Sequence, residues 1–119
     1  MSPELQEVLF VRHSRILGRM RESGTDIECG DGWFDLLDTL CGRLQFHTDL
    51  DGAPRVVALQ IREKFGTLRF YAEGADEMHG GMIDVAQAMS ERICRGCGGR
   101  LPCLACSRTL AALRTAGTR

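Results

Sequence analysis

Four cysteines fall within thirteen residues near the end of this chain, in the order Cys94-x2-Cys97-x5-Cys103-x2-Cys106. Each pair is close enough to grip one ion from one side, and together they supply the four soft thiolates that a tetrahedral Zn²⁺ prefers. Four protein ligands also close the coordination sphere and leave no position for a catalytic water. The spacing therefore predicts a structural Zn²⁺ bound by Cys94, Cys97, Cys103 and Cys106, which holds the C-terminal region together.

The two pairs differ in local logic. In Cys94-Arg95-Gly96-Cys97-Gly98-Gly99 the glycines let the backbone turn sharply while both sulfurs point inward, and amides left free there can donate to thiolates. Cys103 and Cys106, three apart, fit the first turn of a helix, where the positive end of the dipole favours thiolate over thiol. A knuckle followed by a helix start predicts a treble-clef-like or zinc-ribbon-like site. Ferredoxin spacings differ from this one, and neither pair follows the strand-to-helix context of a redox Cys-x-x-Cys.

The remaining 93 residues carry a different pattern. A chain of 119 residues, 44% hydrophobic and 26% charged, predicts one domain: a helix-helix-hairpin-helix core over 1–93, then a zinc loop and terminal helix over 94–119. No apolar run reaches membrane-spanning length, and Glu4, Glu7 and Arg12 interrupt the N-terminal stretch, so the expected setting is cytoplasmic with no membrane partner. Cys29 and Cys41 border or lie on a strongly apolar helix, where a reduced cysteine acts as a small buried hydrophobe.

Periodicity places the elements. Leu5, Val8, Leu9, Ile16 and Met20 recur at near-helical spacing over 3–22, with Arg12, Arg15 and Arg19 on another face. Asp31 is the expected cap of a second helix, with Trp33, Leu36, Leu37, Leu40, Cys41 and Leu44 on one side. From Arg55 the period becomes two: Val57, Leu59 and Ile61, then Leu68 and Phe70, predict two antiparallel strands around a turn at Phe65-Gly66. Gly66 is the residue expected to take a positive φ. After a break over 74–81, Met82, Val85, Ala86, Met89 and Ile93 mark a third helix running into Cys94, and Cys106, Leu110 and Leu113 a last one. The fold class is thus α+β, helices packed on a two-stranded hairpin with a C-terminal four-cysteine zinc site.

Catalytic signals are weak. His13, His47 and His79 stand apart, and each reads as a surface or capping residue. His47 with Asp49 and Asp51 reads as a solvated helix end. There is no phosphate loop, dinucleotide fingerprint or nucleophile elbow, and the expectation is no enzyme. Charge is uneven: residues 24–51 hold seven acids and one base, while residues 92–119 hold six arginines and no acid. Arg62, Lys64 and Arg69 could touch phosphates, but Glu63, Glu73 and Asp76 dilute them in the sequence.

Three segments together, Cys29-Gly-Asp-Gly-Trp-Phe-Asp-Leu-Leu, Arg62-Glu-Lys-Phe-Gly-Thr-Leu-Arg-Phe-Tyr71 and the approach from Met89-Ser90 to Cys97, resemble a group of small phage and prophage proteins without an assigned activity. The resemblance covers about residues 28–106, and Lys64 to Phe70 is its most specific part. Members of that group often have a longer loop and a Cys followed by a His as the second ligand pair; here Cys103 and Cys106 follow a five-residue loop. The resemblance implies a phage setting. With the charge asymmetry, it leads to the expectation of a non-enzymatic accessory protein that binds a host protein or complex and inhibits or modulates it. Anti-defence, anti-CRISPR or transcription inhibition are examples. The expected docking face is Asp31, Asp35 and Asp38, with Arg95, Arg100 and Arg108 as further contacts. The alternative is a zinc-dependent nucleic-acid-binding module that uses the arginine-rich C-terminal region.

Overall fold

A computed structural model describes residues 1–103 and Cys106. In chain order the elements are α1 (Pro3–Arg12), α2 (Ser14–Ser23), a 3-10 turn (Asp31–Trp33), α3 (Phe34–Asp51), β1 (Val57–Lys64), β2 (Thr67–Glu73) and α4 (Glu77–Ser90). Among the described residues, four helices and an antiparallel hairpin, followed by clustered cysteines, make the α+β architecture that periodicity predicts. The helix expected beyond Cys106 through Leu110 and Leu113, with Arg108 and Arg114, lies outside the described residues.

The single helix expected over 3–22 is two helices that meet at His13, whose φ of −120° and ψ of 43° interrupt the helical path. The bend lets Leu9 and Phe10 of α1 enter the same core as Ile16, Leu17 and Met20 of α2. It also brings the His13 Nε2 to 2.7 Å from an Asp38 carboxylate oxygen on α3, and Arg12 donates to the same carboxylate at 3.0 Å. Helical spacing alone does not reveal a break whose cause is a partner on another helix.

Asp31 does not cap α3. Its carboxylate accepts from the Ser2 amide at 2.6 Å, and the 3-10 turn leads into α3 without a side-chain cap. Trp33, Leu37, Leu40, Cys41 and Leu44 are buried as expected, while Leu36 is only half-buried.

In the hairpin, Ile61 pairs with Phe70 and Arg62 with Arg69, and the register shifts between Ala58 and Gln60. That bulge puts Ala58 and Ile61 into the core with Leu68 and Phe70 and turns Leu59 outward, against the simple alternation of the sequence. Phe65 and Gly66 both adopt positive φ, 54° and 80°. A two-residue turn with both residues left-handed matches the strand twist, so the positive φ is not left to Gly66 alone. The Glu63 carboxylate accepts from the Gly66 amide at 2.9 Å and fixes the turn from inside.

Both hairpin edges are covered. Glu28 bridges to β1, its amide donating to the Ile61 carbonyl at 2.9 Å and its carbonyl accepting from the Glu63 amide at 2.8 Å. On the other edge, Ser90 Oγ and Gln87 Oε1 of α4 accept from the Leu68 and Phe70 amides at 2.9 and 3.0 Å.

The helix expected from Met82, α4, begins earlier and turns differently than expected. Asp76 and His79 form a reciprocal capping box that starts α4 at Glu77 despite Gly80 and Gly81, and the helix ends at Ser90, before the knuckle. Its buried positions are His79, Ile83, Ala86 and Ser90; Val85 and Met89 are exposed. His79 sets that phase by donating from Nε2 to the Leu44 carbonyl at 3.1 Å.

Candidate metal centre

The sulfurs of Cys94, Cys97, Cys103 and Cys106 all lie within 4.8 Å of one another. A tetrahedron with metal–sulfur bonds of about 2.3 Å has sulfur–sulfur edges of about 3.8 Å, so one ion fits at their centre. Cys94 and Cys103 are buried and Cys97 is exposed, which gives the site a closed and an open side. The Gly99 amide donates to Cys97 Sγ at 3.4 Å and the Cys106 amide to Cys103 Sγ at 3.5 Å. Such amides stabilise the thiolate form of a ligand.

Charge in the cluster is unevenly shared. The amides of Cys97 and Gly96 hold the Cys94 thiol down to about 6, whereas the neighbouring sulfurs, Cys94 first and then Cys103, push Cys106 up to about 12. One thiolate forms readily here and further ionisation is opposed. A central cation removes that opposition, because each ligand must bind as thiolate.

The knuckle is held by the loop before α3. Trp33 donates from its indole Nε1 to the Ile93 carbonyl at 3.0 Å, and the Gly32 amide donates to the Arg95 carbonyl at 2.9 Å. Within the knuckle, the Cys94 amide donates to the Gly99 carbonyl and the Gly98 amide to the Cys94 carbonyl, both at 2.7 Å. A Cβ on Gly30 would sit 2.0 Å from the Arg95 carbonyl oxygen, and one on Gly32 2.1 Å from that of Cys94 and 2.5 Å from the Gly98 nitrogen. Both glycines thus let two backbones touch. Periodicity identified Trp33 as core and Asp31 as a cap but missed the role of Gly30 and Gly32; two glycines flanking Asp31 beside a core tryptophan were the available signal.

Cys29 and Cys41 do not join the cluster. Burial pushes the Cys29 thiol up to about 11 and that of Cys41 up to about 12, so both remain protonated and pack in the core.

His47, Asp76 and His79 form a second group of metal-ligand type, but its hydrogen bonds account for it. The Asp76 amide donates to His79 Nδ1 at 3.1 Å, so the ring proton sits on Nε2, which faces the Leu44 carbonyl. Neither nitrogen is left for an ion. His47 lies between Asp51, 2.7 Å from Nδ1, and Asp76, 2.9 Å from Nε2, and their hydrogen bonds, that of Asp51 foremost, raise its pKa. This histidine is buried and bridges α3 to the start of α4, not at a solvated end.

The residues expected to form a docking face do not assemble into a free charged surface. Asp31 is bound to the Ser2 amide, Asp38 to Arg12 and His13, and Arg95 to Glu63 at 2.7 Å. Asp35 and Arg100 are exposed without an ion pair among the described residues, and Arg108 lies outside them. Arg15 and Arg19 pair with Asp49 and Glu73.

The opposite result holds on the hairpin. Register and alternation put Gln60, Arg62, Lys64, Thr67, Arg69 and Tyr71 on the face away from the core. The acids that dilute this patch in the sequence are elsewhere: Glu63 faces inward to Arg95 and Gly66, Glu73 pairs with Arg19, and Asp76 caps α4. Arg62, Lys64 and Arg69 have no carboxylate partner among the described residues. The Nε of Arg62 and of Arg69 are buried with no acceptor, although the two arginines face each other across the strands.

No protein family matches the sequence, and neither a curated protein nor a solved structure matches the chain. No helix among the described residues is long and apolar enough to cross a membrane.

Proposed function

We propose that this protein is a non-enzymatic nucleic-acid-binding module, with a structural Zn²⁺ in the Cys94–Cys106 cluster and a phosphate-binding surface on the outer face of the β1–β2 hairpin. One observation carries the reading: Arg62 and Arg69 are cross-strand partners, each with a buried, unpaired Nε and no carboxylate. Like charges directly opposite on a sheet are destabilising, and a buried donor without an acceptor costs about 1–3 kcal/mol. A phosphate oxygen bound by the terminal guanidinium nitrogens offsets the like-charge repulsion, while the buried Nε atoms hold the two side chains close to the sheet. The nucleic-acid alternative of the sequence thereby moves ahead, relocated from the tail to the hairpin.

Zinc is favoured by the all-sulfur ligand set and by amide donation to the sulfurs. The absence of catalysis is supported by a four-sulfur set that closes the coordination sphere and by histidines engaged in structural hydrogen bonds.

The test is a salt titration with generic DNA and RNA. Binding should weaken steeply with salt, and Arg62→Glu or Arg69→Glu should abolish most of it. The slope should flatten by roughly 0.7–0.9 for each phosphate that the variant no longer neutralises. Salt-independent binding, or full binding by both variants, would sink the proposal.

A second reading, the accessory protein that docks on a host protein or complex in a phage setting, keeps one observation in its favour. Leu36 and Arg43 of α3 and Met78, Met82, Val85 and Met89 of α4 line an open apolar groove of about 590 Å³. Val85→Asp, at 64% exposure, should abolish such docking without unfolding the chain.

A further inference from the structure

The two hairpin edges determine which form of nucleic acid this face can read. A bare two-stranded ribbon fits the major groove of a duplex, about 12 Å wide. Here Glu28 extends the sheet beyond β1 and α4 flanks β2, so the element presented outward is a broad platform. Duplex backbones can cross such a platform only as a rod resting on its surface.

Two aromatic side chains of the hairpin are exposed. Tyr71 is 48% exposed on the same face as Arg62 and Arg69, with Gln60 as its cross-strand partner. Phe65, at the hairpin tip beside Lys64, is 91% exposed and adopts φ of 54°. An aromatic residue is an unfavourable choice there: Asn or Gly takes left-handed φ with little strain, and the Phe65 ring buries almost nothing in return. Strain kept at an exposed position without stabilising packing marks a residue retained for binding.

We propose that the outer hairpin face binds single-stranded nucleic acid, with bases stacked on Tyr71 and Phe65 and the backbone neutralised by Arg62, Arg69 and Lys64. The inference rests on the reading of the hairpin as a nucleic-acid surface and narrows it to unpaired strands. Stacking on an exposed ring requires an unpaired base, because paired bases in a duplex are already stacked on both sides. Lys64 Nζ lies 5.9 Å from the Phe65 ring centroid, which places a cation at the edge of the stacking surface.

The experiment uses the zinc-loaded full chain and fluorescein-labelled twelve-nucleotide probes, oligo-dT, oligo-U and a mixed-sequence duplex, read by anisotropy at low and moderate salt. Single strands should bind at least about tenfold tighter than the duplex. Tyr71→Ala should weaken single-strand binding by roughly five- to a hundredfold, and Tyr71→Phe should leave it within about twofold, since the ring and not the hydroxyl does the stacking. Tyr71 is the chain's single tyrosine, so 3-fluorotyrosine gives one ¹⁹F resonance, which should shift with oligo-dT and not with duplex. Equal or tighter duplex binding that still depends on Arg62 and Arg69 would overturn the single-strand inference and leave the nucleic-acid reading standing. Unchanged binding by Tyr71→Ala would do the same. Binding to none of the probes would overturn both.

Discussion

The Trp33 indole donates to the Ile93 carbonyl at 3.0 Å, one residue before the candidate ligand Cys94, across a sequence separation of 60 residues. That bond ties a side chain of the apolar core to the backbone that presents the clustered cysteines. Trp33→Phe keeps most of the packing and removes the donor, leaving the Ile93 carbonyl without its partner. The expected loss is about 1–3 kcal/mol in denaturant unfolding. A change below a few tenths of a kcal/mol would show that the bond does not couple core and knuckle.

Removing the proposed Zn²⁺ should affect the knuckle first. Trp33 is the chain's one tryptophan, so its fluorescence reports on that bond. Chelation, or Cys106→Ser, should red-shift the emission while most of the far-ultraviolet helical signal persists, because α1, α2 and α3 pack through residues outside the cluster. Emission unaffected by loss of the ion would contradict the coupling.

Gly32→Ala should be disproportionately harmful. Its Cβ would meet the Cys94 carbonyl and the Gly98 nitrogen, both backbone atoms of the knuckle that cannot swing aside. Metal affinity, measured by competition with a chromogenic chelator, should fall by about tenfold or more. Gly18→Ala is the control: it lies in α2 with nothing within 4 Å of its Cβ, and should be neutral or stabilising by up to about 1 kcal/mol. Similar behaviour of the two variants would remove the close-approach explanation.

Phe65→Asn should stabilise the fold by roughly 0.5–1 kcal/mol, since Asn accepts left-handed φ and the phenyl ring is almost fully exposed. Thermal unfolding tests this directly. The same variant should lose single-strand affinity, and a gain in both stability and affinity would argue against a stacking role.

His47 gives a pH signature. Its pKa is raised from 6.5, chiefly by the hydrogen bond to Asp51 and then that to Asp76, so its stabilising effect is complete below 6.5 and fades as pH rises through the raised value. Asp76 is lowered from 3.8, first by the His79 amide, so its share is present above 3.8 and is lost as pH falls through the lowered value. The denaturant midpoint of His47→Gln should therefore trail the wild type more at pH 5.5 than at pH 8.5. An equal gap at both would mean that the charged imidazole contributes nothing.

The spacing of four cysteines determined the candidate ligand set, and two-residue alternation around Phe65-Gly66 determined the hairpin, because in both cases the needed partners are neighbours in the chain. Local pattern also identified Trp33, Leu37, Leu40, Cys41 and Leu44 as core. Tertiary structure alone decided the break at His13, the buried phase of α4 and the bulge that turns Leu59 outward. It also decided which charges cancel: Asp38 is paired with Arg12 and Arg95 with Glu63, while Arg62 and Arg69 are left facing each other. Most of those outcomes depend on partners on other elements of the fold, and periodicity records which residues share a face but not what that face will meet.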